Sequence, residues 1–292
     1  MGISTADIKK LRERTSAGML DCKEALTETD GDLEAAVDYL REKGMSSADK
    51  SDRVAAEGLV SVEKEDDTAV IVEINSETDF VAKNDEFKEV VNDVTDHILM
   101  EQPDSVDAAL EQALKGDGEK VDQYLKEAIT QIGEKITLRR FEILDKNAEQ
   151  TLATYLHMGG QIGVAVLLED ADEELAKNVA MHIAAANPDY LDRDSVSEEE
   201  VEKEKKILRK QAEKEDKPEH IIDKIVNGRL DKFYQNNCLL EQEYIRDTDL
   251  TIKELIAEQD AEIVKFVRYE VGEGIEVEEE DFAEEVMNEV NK

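Results

Sequence analysis

Cysteine and histidine are scarce in this chain of 292 residues and basic side chains are outnumbered by acidic ones, and each of these removes a class of function. The two cysteines, Cys22 and Cys238, stand far apart in apolar periodic segments, so neither a disulfide framework nor CxxC redox chemistry is expected. They read as small core residues in a reducing compartment. The four histidines, His97, His157, His182 and His220, show no HExxH or other ligand spacing, which argues against a zinc site. His182 falls beside the apolar face of a helix and reads as packed, whereas His157 ends a strand just before the turn MGGQ. No GxxxxGK[ST] phosphate loop occurs. VGEGIE, residues 271 to 276, has two glycines after a strand but runs into acidic residues, so it reads as a turn. No apolar run approaches the roughly 20 residues that span a bilayer. The opening MGISTADIKK lacks a signal-peptide core, and Ala6 stands where myristoylation wants Ser or Thr. A cytoplasmic location is expected.

Basic residues are outnumbered, 36 Lys plus Arg against 74 Asp plus Glu, for a formal net charge of −38. A phosphate backbone or an anionic membrane would meet repulsion, so direct nucleic-acid and membrane partners are disfavoured. Dense carboxylates read first as a solubilising cover whose self-repulsion salt screens. They are too plentiful for any pair to single out acid or base catalysis, and no Ser, His and Asp set marks a nucleophile. No catalytic residue and no metal ligand is identified. With 40% hydrophobic and 38% charged residues, and aliphatics at regular spacing, the chain is expected to fold into two or three domains.

Periodicity divides the chain. In residues 1 to 45, Ser4 can cap a helix carrying Ile8 and Leu11, Gly18 marks a break, and a second helix carries Leu20, Ala25 and Leu26. Asp30 or Asp32 begins a third, with Leu33, Ala36, Val37 and Leu40 on one face and Gly44 at its end. Residues 46 to 57 have linker composition. From Gly58, LVSVEKEDDTAVIVEIN reads as a β-hairpin turning at Glu65, Asp66 and Asp67. Phe87, Val90, Val91, Val94 and Ile98 then recur at helical spacing up to Pro103, with helices near 104 to 115 and 119 to 134 beyond. Strands follow at 136 to 144, 151 to 157 and 162 to 169, and a helix with Leu175, Val179 and Ile183 closes near Pro188. Residues 196 to 235 are a charged helical run and a second helix opened by Pro218, carrying Ile221, Ile222, Ile225 and Leu230. This hairpin is either a solvated antiparallel pair or a dimer or partner contact. A strand at 238 to 245, a helix at 251 to 260, a strand at 263 to 271 and a short acidic helix with Phe282, Val286 and Met287 complete the chain.

One aromatic stands out, because EINSETDFVAKNDEF places Phe80 in a polar turn between a strand and a helix. TDFVAKN, residues 78 to 84, resembles the signature loop of the elongation factor Ts family, the guanine nucleotide exchange factors of elongation factor Tu. LRERTSAGMLDCKEAL (11 to 26), IGVAVLLE (162 to 169), MHIAAANPDYL (181 to 191) and VRYEVGEGIE (267 to 276) resemble other segments of that family, in its order along nearly the whole chain. Gln161 departs from the pattern, standing where many members carry a basic residue.

The resemblance implies an α+β fold with a small N-terminal three-helix, ubiquitin-associated-like domain (1 to 45) and a linker (46 to 57). A two-part α/β core with antiparallel sheets follows (58 to 145, then 146 to 195 with 236 to 271). The second part is interrupted by a coiled-coil hairpin (196 to 235), and a C-terminal helical module (272 to 292) ends the chain. Its partner would be elongation factor Tu, whose bound GDP and Mg²⁺ it would act on, with no cofactor of its own. Phe80 would wedge between helices of the GTPase domain, with Thr78, Asp79 and Val81 beside it. Read without the resemblance, Phe80 would be a core residue tucked beneath its own helix, and Asp79 an N-cap. Arg12, Met19 and Leu20 would touch the partner from the first domain, although Leu20 also suits a core position. The turn His157, Met158, Gly159 and Gly160 is a further candidate. Homodimerisation through the hairpin occurs in some members.

Overall fold

Nine residues, TAVIVEINS, explain how the centre of the molecule is layered. A strand points successive side chains to opposite faces, so a run apolar at almost every position must be covered on both sides. In the computed structural model, which describes residues 3–15, 17, 19–40, 53–116, 118–214 and 217–276, this segment is strand β2 (Thr68–Ser76), and every residue from Ala69 to Asn75 is buried. It lies between β1 (Glu57–Glu65) and β3 (Thr137–Asp145) in an antiparallel sheet. The hairpin turns at Asp66 and Asp67. Val70, Val72 and Ile74 face a helical layer, where they meet Phe87, Val90, Val91, Val94 and Ile98 of α5 (Asp85–Glu101) and Leu125 and Ala128 of α7 (Val121–Ile132). Each such valine, leucine, isoleucine or phenylalanine side chain, fully buried, contributes about 1.5–3 kcal/mol. Asn84 caps α5 by accepting the Glu86 N–H at 2.9 Å, and the helix stops at left-handed Gln102, just before Pro103. The short α4 (Asp79–Ala82) precedes α5, and α6 (Val106–Glu111) precedes α7.

The opposite face of β2 meets a second antiparallel sheet, ordered β4 (Gln150–His157), β5 (Ile162–Glu169), β8 (Glu262–Glu270). Ala69, Leu144, Leu152, Ala165 and Leu167 close this inter-sheet layer, with Val60, Ile71 and Tyr269 beside them. The sheets come very close at Gly163, where an added Cβ would lie 2.4 Å from Val60 Cγ1. The outer face of the second sheet, with Val164, Val166 and Leu168, is covered by Leu175, Val179 and Ile183 of α8 (Glu173–Ala186). Helices, sheet, sheet and helix therefore stack as four layers, an α+β arrangement.

Helices α9 (Glu198–Glu213) and α10 (Glu219–Asn237) pack as a pair. Leu208 and Ala212 of one meet Ile222, Val226, Leu230 and Tyr234 of the other in a thin apolar seam. Ser197 and Glu200 form a capping box at the start of α9. The segment 238 to 245, expected as a strand, is instead a 3-10 turn at Leu239–Glu241 followed by a two-residue strand β6 (Glu243–Tyr244). β6 pairs with β7 (Asp247–Thr251), and α11 (Ile252–Ala257) leads to β8. The expected pattern fails there because Cys238 is buried in the hairpin seam, Leu239 in the core beneath α8 and Gln242 against His182, rather than by sheet pairing. The Gln242 amide donates to the carbonyls of Ala186 and Asn236, at 3.3 and 2.7 Å, and so holds the turn.

Near the N-terminus, α1 (Thr5–Thr15), α2 (Met19–Glu28) and a third helix through residues 33 to 40, α3, enclose Leu11, Cys22, Ala25, Leu26, Ala36 and Leu40. Ser4 Oγ accepts the Asp7 N–H at 3.2 Å, the cap expected for α1. Asp32 begins α3, accepting the N–H groups of Glu34 and Ala35 at 3.0 and 3.1 Å, while Asp30 sits in the preceding turn with φ of 51°. Gly18, Gly44, residues 46 to 52 of the expected linker, and Phe282, Val286 and Met287 lie outside the described residues.

Candidate protein-docking site

The loop between β2 and α5 is not an open turn. Residues Asp79–Ala82 form a single helical turn, and Thr78, not Asp79, is its N-cap, with Thr78 Oγ1 accepting the Val81 N–H at 3.4 Å. Asp79 instead pairs with Lys83 one turn on, at 2.6 Å. Val81 packs against the core beneath α5, and Ala82 is buried. Phe80, just before them, is 81% exposed. The ring is therefore not tucked beneath its own helix, because Val81 and Ala82 fill that position.

The turn is tied to a distant loop by two reciprocal contacts. Glu134 follows the left-handed Gly133 that ends α7, and its carboxylate takes both donors of Thr78: the N–H at 3.0 Å and the hydroxyl at 2.7 Å. Glu77 in return accepts the backbone N–H of Lys135 at 2.7 Å. Arg53 pairs with Glu77 at 3.2 Å. Glu134 and Glu77 were not singled out by sequence, since their partners lie 56 and 58 residues away.

A second exposed apolar group lies on the β4–β5 turn. Met158 is 73% exposed, and Leu156 before it is also exposed. His157 is half-buried, its Nδ1 3.2 Å from the Tyr155 hydroxyl and the two rings stacked. Gly159 is exposed and Gly160 buried. Gly160 has φ of 102°, accepts the Val60 N–H at 2.7 Å, and would place an added Cβ 3.0 Å from both Leu59 Cδ2 and the Val60 carbonyl. Both features are unfavourable for any side chain there. Leu59 and Val81 pack against the same core cluster, and α4 packs on β1. The Phe80 and Met158 turns thus lean on one strand. Gln161 turns onto its own chain, its amide donating to the Gly58 carbonyl at 3.4 Å.

Of the N-terminal candidates, Arg12 is exposed, Met19 is exposed, and Leu20 is 81% exposed, so Leu20 is not a core residue. Cys22, two residues on, takes the core position. His182 is fully buried as expected; burial pushes its imidazole below the ordinary value, and Gln242 Oε1 stands 2.9 Å from Nε2.

Sequence reasoning also passed over the buried ion cluster between the sheets. Glu73 of β2 is 0% exposed. Pairing slips by one residue between Glu73 and Ile74, so both Arg139 and Arg140 of β3 oppose Glu73 and reach it at 2.8 and 2.6 Å. Asn75 Nδ2 and the Gly272 N–H add bonds of 3.1 and 2.9 Å. Burial alone would push this carboxyl up, but the Gly272 N–H and the two guanidiniums together hold it below the ordinary glutamate range. Arg140 stacks on the Tyr269 ring at 4.1 Å. The turn VGEGIE is thereby bound to the first sheet. A charged residue inside the run VIVEIN, and the pair RR in a facing strand, are the signals that would have pointed to it.

An apolar ring held out on a braced turn, with other exposed apolar side chains such as Leu20 and Met158 elsewhere on the surface, is the equipment of a factor that acts on another protein by fitting against it. Among the described residues, no helix is long and apolar enough to cross a membrane. Residues 77–273 match the family described as Elongation factor TS. Elongation factor Ts of Halothermothrix orenii strain H 168 is 54% identical over 300 residues, covering 100% of each chain. This chain belongs to the elongation factor Ts family, whose role is nucleotide exchange on elongation factor Tu. Exchange of a bound nucleotide makes and breaks no covalent bond.

Proposed function

We propose that this protein releases GDP from elongation factor Tu by seating Phe80 between helices of the GTPase domain and so displacing the Mg²⁺ that bridges nucleotide and protein. The observation that carries this reading is the 81% exposure of a phenylalanine whose next two residues, Val81 and Ala82, pack inward. Burying that ring in a partner would contribute about 1.5–3 kcal/mol. Mg²⁺ demands near-octahedral geometry at about 2.0–2.1 Å, so a modest displacement of the elements bearing its ligands weakens it sharply. Phosphate charge is then less compensated and GDP leaves faster. The factor itself needs no metal or cofactor, and acts in the cytoplasm on a protein partner rather than on nucleic acid.

Thr78 and Asp79 frame the ring, and Val81 fixes its base. His157, Met158, Gly159 and Gly160 form a second contact, and Arg12, Met19 and Leu20 a third. Linkage then requires that nucleotide weaken factor binding by the ratio in which the factor weakens nucleotide. GTP binding therefore expels the factor, which turns over.

Stopped-flow release of fluorescent GDP from elongation factor Tu tests the proposal. Phe80→Ala is expected to slow release by about 10- to 100-fold, the equivalent of the ring's burial at about 1.4 kcal/mol per factor of ten. An unchanged rate sinks the wedge, and binding by the wild-type chain with no acceleration of release points to an adaptor.

A further inference from the structure

We propose that Glu134 is a positioning residue for nucleotide exchange, setting the direction in which Phe80 projects; this rests on the reading of Phe80 given above. The turn that carries the ring is four residues long, and an isolated helical turn does not hold itself, because nucleation fixes several backbone torsions for a single hydrogen bond. Its internal backbone bonds are few, Ala82 N–H to the Thr78 carbonyl at 3.4 Å, Lys83 N–H to the Phe80 carbonyl at 3.2 Å, and Asn84 N–H to the Val81 carbonyl at 2.9 Å, and the side chains add the long Thr78 cap and the solvent-exposed Asp79–Lys83 pair. Its orientation must therefore come from outside.

On the C-terminal side that support is the packing of Val81 and the start of α5. On the N-terminal side it is the Glu134 carboxylate. Two oxygens take the N–H and the hydroxyl of one residue, Thr78, and that residue is the cap from which the turn springs. Two bonds fix an angle where one fixes only a distance. Glu134 is itself held between the end of α7 and buried Ile136 at the start of β3, so the fork transmits the position of the core to the turn. Glu77 and the Lys135 N–H close the same junction from the opposite side. Glu134 has no need to touch the partner to matter; it acts through Phe80.

Stopped-flow GDP release with the full-length chain tests this, using Glu134→Ala, Glu134→Gln, Phe80→Ala and the double variant Phe80→Ala/Glu134→Ala. Glu134→Ala is expected to slow release at saturating factor by about tenfold, the scale of losing hydrogen bonds to a charged group. Glu134→Gln, which keeps one acceptor oxygen, recovers part of that loss. The double variant is no slower than Phe80→Ala alone, because a misaimed ring that has been removed costs nothing further. A wild-type rate in Glu134→Ala, or losses that multiply in the double variant, overturns the positioning role while leaving the wedge intact. A wild-type rate in Phe80→Ala overturns both. If Glu134→Ala does not fold, the isosteric Glu134→Gln and its double with Phe80→Ala carry the same comparison, and a wild-type rate in Glu134→Gln overturns the role.

Discussion

Glu73 and Phe80 lie seven residues apart on one continuous stretch, and each occupies the place that physical chemistry would give the other. The carboxylate is sealed between two sheets, and the ring stands in solvent. The difference lies in what surrounds them. Glu73 has donors from three parts of the chain, β3, Asn75 and the turn after β8, so its burial is compensated and it cross-links the layers. Phe80 is exposed because its neighbours Val81 and Ala82 already fill the space beneath the turn. An inverted pattern that is fully satisfied from within reads as structure, and one left facing water reads as a surface for something else.

Of the two inversions, the satisfied one gives the larger loss of stability when broken. Glu73→Ala leaves two guanidiniums facing each other beneath the turn at Gly272, and urea unfolding should show a loss of about 3 kcal/mol, the low end for removing one partner of a buried pair. The low end applies because the side chains of Arg139 and Arg140 keep 24% and 30% of their exposure, so water meets part of the cost. A loss below about 0.5 kcal/mol would show that the cluster does not tie the sheets together.

Acid weakens the same cluster by a smaller amount. The folded-state carboxyl of Glu73 is held below the ordinary value of 4.5, so its contribution is complete above that value and is lost as pH falls through it toward the folded one. Protonating the chain's other carboxylates works in the opposite direction by relieving repulsion at a net charge of −38. The informative quantity is the difference in unfolding free energy between wild type and Glu73→Gln. That gap should stay constant from about pH 8 to about pH 6 and narrow below about pH 4.5. A gap that widens on acidification would contradict the assigned network.

These two residues also mark where sequence stopped being sufficient. Strand and helix order follow from periodicity, and Pro103 and Pro188 stand directly after helices that end in left-handed residues, so most of the element order was legible. The hairpin was half legible: Ile222, Val226 and Leu230 repeat at intervals of four along α10, but α9 buries Leu208 and Ala212 in the seam with Val201 partly buried beside them, too sparse a pattern to read as anything but solvated. Phe80 was conspicuous as an aromatic in a polar turn, yet its exposure depends on Val81 taking the inward position, which no local pattern decides. Glu73 and Glu134 were hidden among 74 acidic residues because their meaning comes from partners 66 and 56 positions away, and for Glu73 from a one-residue slip in strand pairing.

The smallest expected effect is on the stability of the exposed inversion, and it sharpens the contrast most. Phe80 and Phe87 are the same residue type on consecutive helices, but Phe87 is 0% exposed in the core beneath α5. Phe87→Ala should cost about 3–5 kcal/mol, the range for emptying a buried ring position. Phe80→Ala should change unfolding free energy by no more than about 0.5 kcal/mol, since an exposed ring loses little by truncation and alanine suits a helical turn better than phenylalanine. Measured side by side in urea, the pair separates a ring retained for the fold from one retained for a partner. A loss for Phe80→Ala approaching that of Phe87→Ala would mean that the ring folds inward in solution, and the slow exchange expected of that variant would then report unfolding rather than a missing wedge.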